Sequence, residues 1–132
     1  MERKNAINSF IEWTKIKIKI HFSERIIYFK EGEIWWANIG QNIGREQNGK
    51  NRDFERPILV LKKFNAETFW ELPISTRIKT GKYYFVFKRA EKEFSINLSQ
   101  LRLVSSKRLL RLVGNLSGTD FTAVKNLIRS LL

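Results

Sequence analysis

Between residues 25 and 117, short apolar runs rich in β-branched and aromatic residues alternate with polar segments. The runs are RIIYF (25–29), EIWWANI (33–39), PILVLKKF (57–64), TFWELPIS (68–75), KYYFVFKR (82–89), FSINL (94–98), SQLRLVS (99–105) and LLRLVGNLS (109–117). Such runs predict strands. Their spacing, with short turns at Gly81 and at AEKE (90–93), predicts a small barrel or sandwich. QNIGREQNGKNRDFE (41–55) is made of turn-forming residues and predicts a long polar loop. After residue 117 the rhythm changes. Phe121, Val124, Leu127, Ile128 and Leu131 recur at helical spacing, with Lys125, Asn126, Arg129 and Ser130 outside the stripe. Thr119 is the expected N-cap and Asp120 suits the positive end of the helix dipole. This helix is expected to lay its apolar stripe on the barrel.

The first 30 residues follow neither rhythm cleanly. Residues 14–20 alternate Lys and Ile with period two, a strand signal. On a helical wheel the apolar residues fall into two groups, Ile7, Ile11 and Ile18 against Phe10, Trp13, Ile16 and Ile20. No Gly or Pro interrupts the segment before Gly32, so it is assigned as one helix of about 15–18 residues.

Composition adds a partner. A chain of 132 residues is one domain. Its 25 Lys and Arg against 13 Asp and Glu leave a formal charge of +12, a long-range attraction for polyanions. With 13% aromatics available for stacking, nucleic acid with unpaired bases is the leading partner. A basic protein neutralised by an acidic partner is the second reading of the charge, and the two are not exclusive. The absence of cysteine removes disulfides and fits a reducing cytoplasm. No run of about 18 apolar residues predicts a membrane span. The charged opening MERKNAINSF lacks the apolar core of a secretory signal.

Several chemistries are excluded at this stage. A lone His21 and no cysteine cannot assemble a zinc site, so His21 is read as a surface or packing residue. The closest carboxylates, Glu31 with Glu33 and Glu91 with Glu93, do not cluster as a two-metal nuclease requires. GREQNGKN (44–51) carries Asn51 where a phosphate-binding loop needs Ser or Thr. Neither a metal nor a cofactor is expected. Chemistry on a polyanion without them favours RNA, whose ribose brings its own 2′-OH nucleophile. Arginine, a short hydroxyl residue and a carboxylate are sufficient to orient that hydroxyl, remove its proton and stabilise a phosphorane.

The motifs then acquire a family. GEIWWANIG (32–40), IGREQNGK (43–50), RPILVL (56–61), LPIS (72–75), LSQLR (98–102) and SKRLLRLVGNLS (106–117) stand in the order and spacing of the MazF/PemK toxins. The chain resembles that family over residues 32–132. The resemblance implies a mainly β, SH3-like, partly open barrel with a C-terminal helix, usually a homodimer. It also implies the toxin of a type II toxin-antitoxin system in the cytoplasm, held in check by a cognate antitoxin protein. The implied activity is metal-independent cleavage of single-stranded RNA or mRNA, leaving 2′,3′-cyclic phosphate and 5′-OH ends. Minimal toxins have no counterpart of the first 30 residues. Residues 1–30 are therefore assigned as a basic, helical extension and 31–132 as the toxin domain.

Carried over residue by residue, the family's arginine of the RP dipeptide is Arg56, a stabiliser of phosphorane charge. The family's threonine falls on Ser75, a hydroxyl for the scissile phosphate; Thr76 would face the other way along the strand. Glu46 and Gln47 match the E-Q of the loop, with Glu46 either positioning Arg56 or accepting the 2′-OH proton. Arg45, Lys50, Arg77, Gln100 and Arg102 complete an expected RNA-binding set. Two departures stand out: KNRDFE (50–55) enlarges the loop, and Asn97–Leu98–Ser99 replaces an Arg-x-Asp found before Gln in some members. Trp35, Trp36, Trp70, Tyr83 and Tyr84 are available for base stacking, although strand aromatics are more often core. The alternative function is a non-catalytic toxin, for example a gyrase-directed one, or a nucleic-acid-binding module of the same fold.

Overall fold

The computed structural model describes residues 2–132. Helix α1 (Arg3–His21) precedes strands β1 (Glu33–Asn38), β2 (Glu55–Lys63), β3 (Thr68–Ser75), β4 (Tyr84–Arg89), β5 (Lys92–Asn97), β6 (Arg102–Ser105) and β7 (Leu109–Asn115), and helix α2 (Gly118–Ser130) closes the chain. Single 3-10 turns at Leu98–Gln100 and Ser106–Arg108 flank β6. The strands run in the order β4-β5-β3-β2-β1-β7, and every pairing is antiparallel. One edge of β3 serves two strands: Ile74 and Ser75 pair with β5, whereas Thr68–Glu71 pair with β6. That divided edge bends the sheet into a partly open barrel.

The period-two alternation of the strands sorts their side chains onto two faces. Ile34, Leu59, Leu61, Leu72 and Ile74 join Phe87, Ile96 and Leu98 in one apolar cluster, which Val124 of α2 completes. Phe121, Leu127, Ile128 and Leu131 pack on the same cluster, so the C-terminal stripe is used as its spacing predicts. Trp35, Ala37, Ile58, Val60 and Phe69 form a second cluster with Phe29, Ile39, Val104 and Leu109. The second face also takes polar groups inside. Arg56 and Glu71 are buried there, beside apolar neighbours of the same strand parity, whereas the buried Asn38 has the opposite parity on β1.

Three local expectations are corrected. Residues 25–29 form no strand; they run as extended coil across the second cluster. Ile27 and Phe29 point inward while Ile26 and Tyr28 face solvent, which produces the strand-like alternation without a ladder. Side chains serve this segment instead: Lys63 Nζ donates to the Phe29 carbonyl at 2.9 Å. The cap of α2 is Ser117, whose Oγ accepts from the Asp120 N–H at 3.1 Å, and Thr119 lies inside the first turn. Leu98–Gln100 leaves the strand path as a 3-10 turn because the Asn97 side chain accepts from the Ser99 N–H at 3.1 Å.

Helix α1 is present, but it buries only Trp13. The indole sits over Gly40, whose positive φ of 95° and missing Cβ make the approach possible; a methyl there would occupy the ring's place. Phe54 tilts against the same indole with ring centroids 5.8 Å apart. The KNRDFE insertion folds as a tight reversal closed by a Lys50–Glu55 bridge. No described helix is long and apolar enough to cross a membrane.

Candidate active site

Arg56 enters from the start of β2 and Ser75 from the end of β3. The two strands are paired with Ile58 opposite Pro73, and continuing that register brings Arg56 across from Ser75. Both residues line a cavity of about 220 Å³ shared with Gln47, Lys50, Arg77, Lys79 and Tyr84. They also line the neighbouring hollow of about 430 Å³ that contains Trp36, Thr76 and Phe94.

The guanidinium of Arg56 is held by backbone. Nε donates to the Asn48 carbonyl at 2.9 Å and a terminal nitrogen donates to the Ile74 carbonyl at 3.4 Å. The residue is 8% exposed, and among the described residues it forms no ion pair within 4 Å. Burial lowers its pKa from the ordinary value, and Glu71 pulls in the opposite direction. A guanidinium remains a cation throughout the physiological range. A buried cation without a carboxylate is costly; an anion arriving in the cavity would relieve that cost. Ser75 Oγ accepts from the Arg77 N–H at 3.0 Å, leaving the hydroxyl proton free to donate toward the same cavity.

Glu46 is not brought into this cavity. Its Oε1 accepts from the Ile43 N–H at 3.0 Å within the loop, and it faces an adjacent hollow of about 570 Å³. That hollow is lined by Arg45, Gln47, Gln100 and Arg102 as well. Gln47 lines both spaces. Gln100 is tied to the loop: its Oε1 accepts from the Gln47 N–H at 3.0 Å and its Nε2 donates to the Arg45 carbonyl at 3.1 Å. Its amide fixes the loop's position over the 3-10 turn. Glu55, beside Arg56, is engaged by both terminal nitrogens of Arg111 at 3.1 Å.

Of the other lining residues, Lys79 and Ser95 escape the motif-based set, whereas Tyr84 enters it only as a stacking aromatic and Asn97 only as a departure from the family pattern. Only the sheet pairing gathers them, since β4 and β5 fold over the end of β3. Lys79 lies 5.9 Å from the Tyr84 ring centroid, a second cation over an aromatic face. Of the five strand aromatics, Trp35 belongs to the core, Trp36 and Tyr84 border the cavities, and Trp70 and Tyr83 are exposed.

Glu71 is the largest surprise. It is 1% exposed, and its Oε2 has no hydrogen-bond partner. Burial raises its pKa to about 8, against the opposing pull of Arg102, Arg108 and Arg56. The only sequence signal is a carboxylate at the inward parity of an otherwise apolar run, TFWELPIS. His21, by contrast, is exposed, with its ring edge-on to Phe22.

With this geometry in place, the comparisons decide the family. A family model described as the PemK-like, MazF-like toxin of type II toxin-antitoxin systems matches residues 30–132. The chain belongs to that family. Membership carries with it an antitoxin partner and the dimeric assembly of such toxins. The fold matches MazF from Deinococcus radiodurans with a TM-score of 0.61 at 18% identity, over 80% of this chain and 97% of that one. It also matches the Mycobacterium tuberculosis toxin MazF-mt6 with a TM-score of 0.57 at 15% identity, over 74% of this chain and 93% of that one. Comparison with curated proteins gives no match by sequence. Helix α1 lies outside the residues matched by the family model.

Proposed function

We propose that this PemK/MazF-family toxin is a metal-independent endoribonuclease acting on single-stranded RNA, mRNA above all, in the cytoplasm. The observation that carries the reading is the buried Arg56, which lacks an ion-pair partner and shares its cavity with the Ser75 hydroxyl. Arg56 binds the scissile phosphate and stabilises the charge that grows on its non-bridging oxygens. Ser75 hydrogen-bonds the same phosphate and orients it. The 2′-OH attacks phosphorus, the P–O5′ bond breaks with the leaving O5′ taking a proton from water, and the products carry 2′,3′-cyclic phosphate and 5′-OH ends. Glu46 takes the 2′-OH proton when its side chain swings away from the Ile43 N–H, the loop backbone staying in place. Arg45, Gln47, Lys50, Arg77 and Arg102 track the backbone, with Gln100 holding the loop among them. In the assembled toxin-antitoxin complex, the antitoxin covers this groove.

The test is antitoxin-free protein with an unstructured RNA in EDTA. Wild type should cleave and leave cyclic phosphate ends, detected by mass spectrometry. Arg56→Ala should lower kcat by roughly 10³-fold and Ser75→Ala by less, consistent with losses on removing a charge-stabilising donor. Absence of cleavage on any RNA would sink the enzyme reading. Survival of cleavage in Arg56→Ala would sink the assignment of the site.

A further inference from the structure

On the far side of the loop from the catalytic cavity, α1 meets the Ser106–Arg108 turn. Between them lies a cleft of about 150 Å³ lined by Trp13, Lys17, Ile20, His21, Lys107 and Arg108, with Ser105 at its floor. No carboxylate lines it. Among the described residues, Lys17, Lys107 and Arg108 form no ion pair within 4 Å, whereas Lys15 on the same helix pairs with Glu12 at 3.0 Å. Lys107 Nζ donates to the His21 carbonyl at 2.7 Å, which joins the turn to the end of α1 and fixes one wall.

The cleft is linked to the catalytic groove through a single carbonyl. Arg108 donates to the Ile39 oxygen at 3.3 Å, and Arg102 donates to the same oxygen at 3.4 Å. Arg102 lines the hollow that Gln47 shares with the Arg56 cavity. Positive charge therefore runs from Lys79 and Arg56, through Arg45 and Arg102, to Arg108 and Lys17. Two guanidiniums converge on one neutral carbonyl, and burial together with the neighbouring Arg102 lowers the Arg108 pKa to about 10, against the opposing pull of the buried Glu71. An anion over this pair would relieve that repulsion.

We infer that the cleft between α1 and the Ser106–Arg108 turn is a second binding site for the RNA backbone, extending the groove by one or two phosphates beyond the catalytic cavity. The inference rests on the RNA-cleaving reading above. RNA is favoured over an acidic protein segment because the cleft continues the proposed substrate track and sets Lys17, Lys107 and Arg108 beside the Trp13 indole, cations next to an aromatic surface of the kind that holds a nucleic-acid backbone. Backbone binding of this kind is electrostatic and tolerant of sequence.

The experiment compares two RNAs in both binding and cleavage. A short one spans only the catalytic cavity, and a long one reaches the cleft. Binding is measured on versions with 2′-deoxyribose at the cut site, so that a failure of the catalytic reading leaves the comparison of affinities intact. Lys17→Glu combined with Lys107→Gln, the latter keeping a donor for the His21 carbonyl, should raise Kd for the long RNA by about tenfold or more. The slope of log K against log salt should fall by about 0.7 for each phosphate lost. Short-RNA binding and turnover should stay within about twofold. Lys125→Glu on α2 serves as the surface-charge control and should leave the ratio of long to short affinity unchanged. Equal loss for both RNAs, or loss for neither, would overturn the inference. So would weakened binding of a poly-glutamate peptide with long-RNA affinity intact, which would assign the cleft to an acidic protein partner.

Discussion

The two faces of the sheet solve the same burial problem with different materials. One face, beneath α2, carries an apolar cluster and is closed by a helix that contributes a full stripe of side chains. The other is covered by the residue 39–49 loop, the extended coil before β1 and Trp13 from the middle of α1, and it takes Arg56 and Glu71 inside. Burying apolar area stabilises at roughly 25 cal/mol per Å². Burying an unpaired ionisable group costs several kcal/mol unless it is neutralised. The first face is thus expected to hold the fold together. The second bears electrostatic cost at the place where a polyanion is proposed to bind.

The largest effect should come from placing a charge on the apolar face. Val124 is fully buried against the first cluster. Val124→Asp should cost about 4 kcal/mol or more and abolish cooperative unfolding in urea, whereas Val124→Ala should cost about 1–2 kcal/mol. If Val124→Asp folded normally, α2 would not be the element that closes the core.

A smaller, pH-dependent effect should mark the second face. The Glu71 pKa is raised by burial to about 8 in the folded state, above the ordinary carboxyl value of 4.5. Between those values the folded protein holds a proton that the unfolded chain has released. Stability from this group is complete below about pH 4.5, declines as pH rises, and is lost above about pH 8. Glu71→Gln removes the titration. Unfolding free energies from urea titration should therefore converge for wild type and variant at pH 5, and favour the variant by up to a few kcal/mol at pH 9. A gap that does not widen with pH would mean that Arg102 and Arg108 hold Glu71 ionised.

The same contrast governs what the sequence discloses. The apolar face is legible because strand and helix periodicities are local: the C-terminal stripe of Phe121, Val124 and Leu127 needs no knowledge of its partner. Arg56 and Ser75 are legible through motif order, and the β2–β3 pairing sets them opposite each other. Residues 25–29 mislead because burial of Ile27 and Phe29 imposes a period of two on a segment with no ladder. Glu46 stands beside Gln47 in the motif, yet its orientation is decided by a hydrogen bond within its own turn. Ser95 reaches the cavity through the pairing of β5 with the end of β3, and Glu71 meets Arg102 through the pairing of β3 with β6; no single motif encodes either.

The smallest effect on global stability, and the sharpest test of the second face, is expected from Trp13. This residue is the only one that α1 buries, and Ile7, Ile11 and Ile18 remain about half exposed. The helix is otherwise held by the Arg108 guanidinium 5.7 Å from the indole centroid and by the Lys107 bond to the His21 carbonyl. An element attached through so few contacts opens as a local unit well below the free energy of global unfolding. Trp13→Ala should abolish hydrogen-exchange protection across α1 and expose the chain near residues 21–26 to protease. The barrel's Tm should fall by only a few degrees, corresponding to about 1 kcal/mol. Gly40→Ala should reproduce this release from the other side, since its methyl would expel the indole. Trp13→Phe should retain most of the protection. Should Trp13→Ala instead lower the Tm by 10 °C or more with loss of protection in β1 and β2, α1 would belong to the cooperative core, and the two faces would be equal partners in stability.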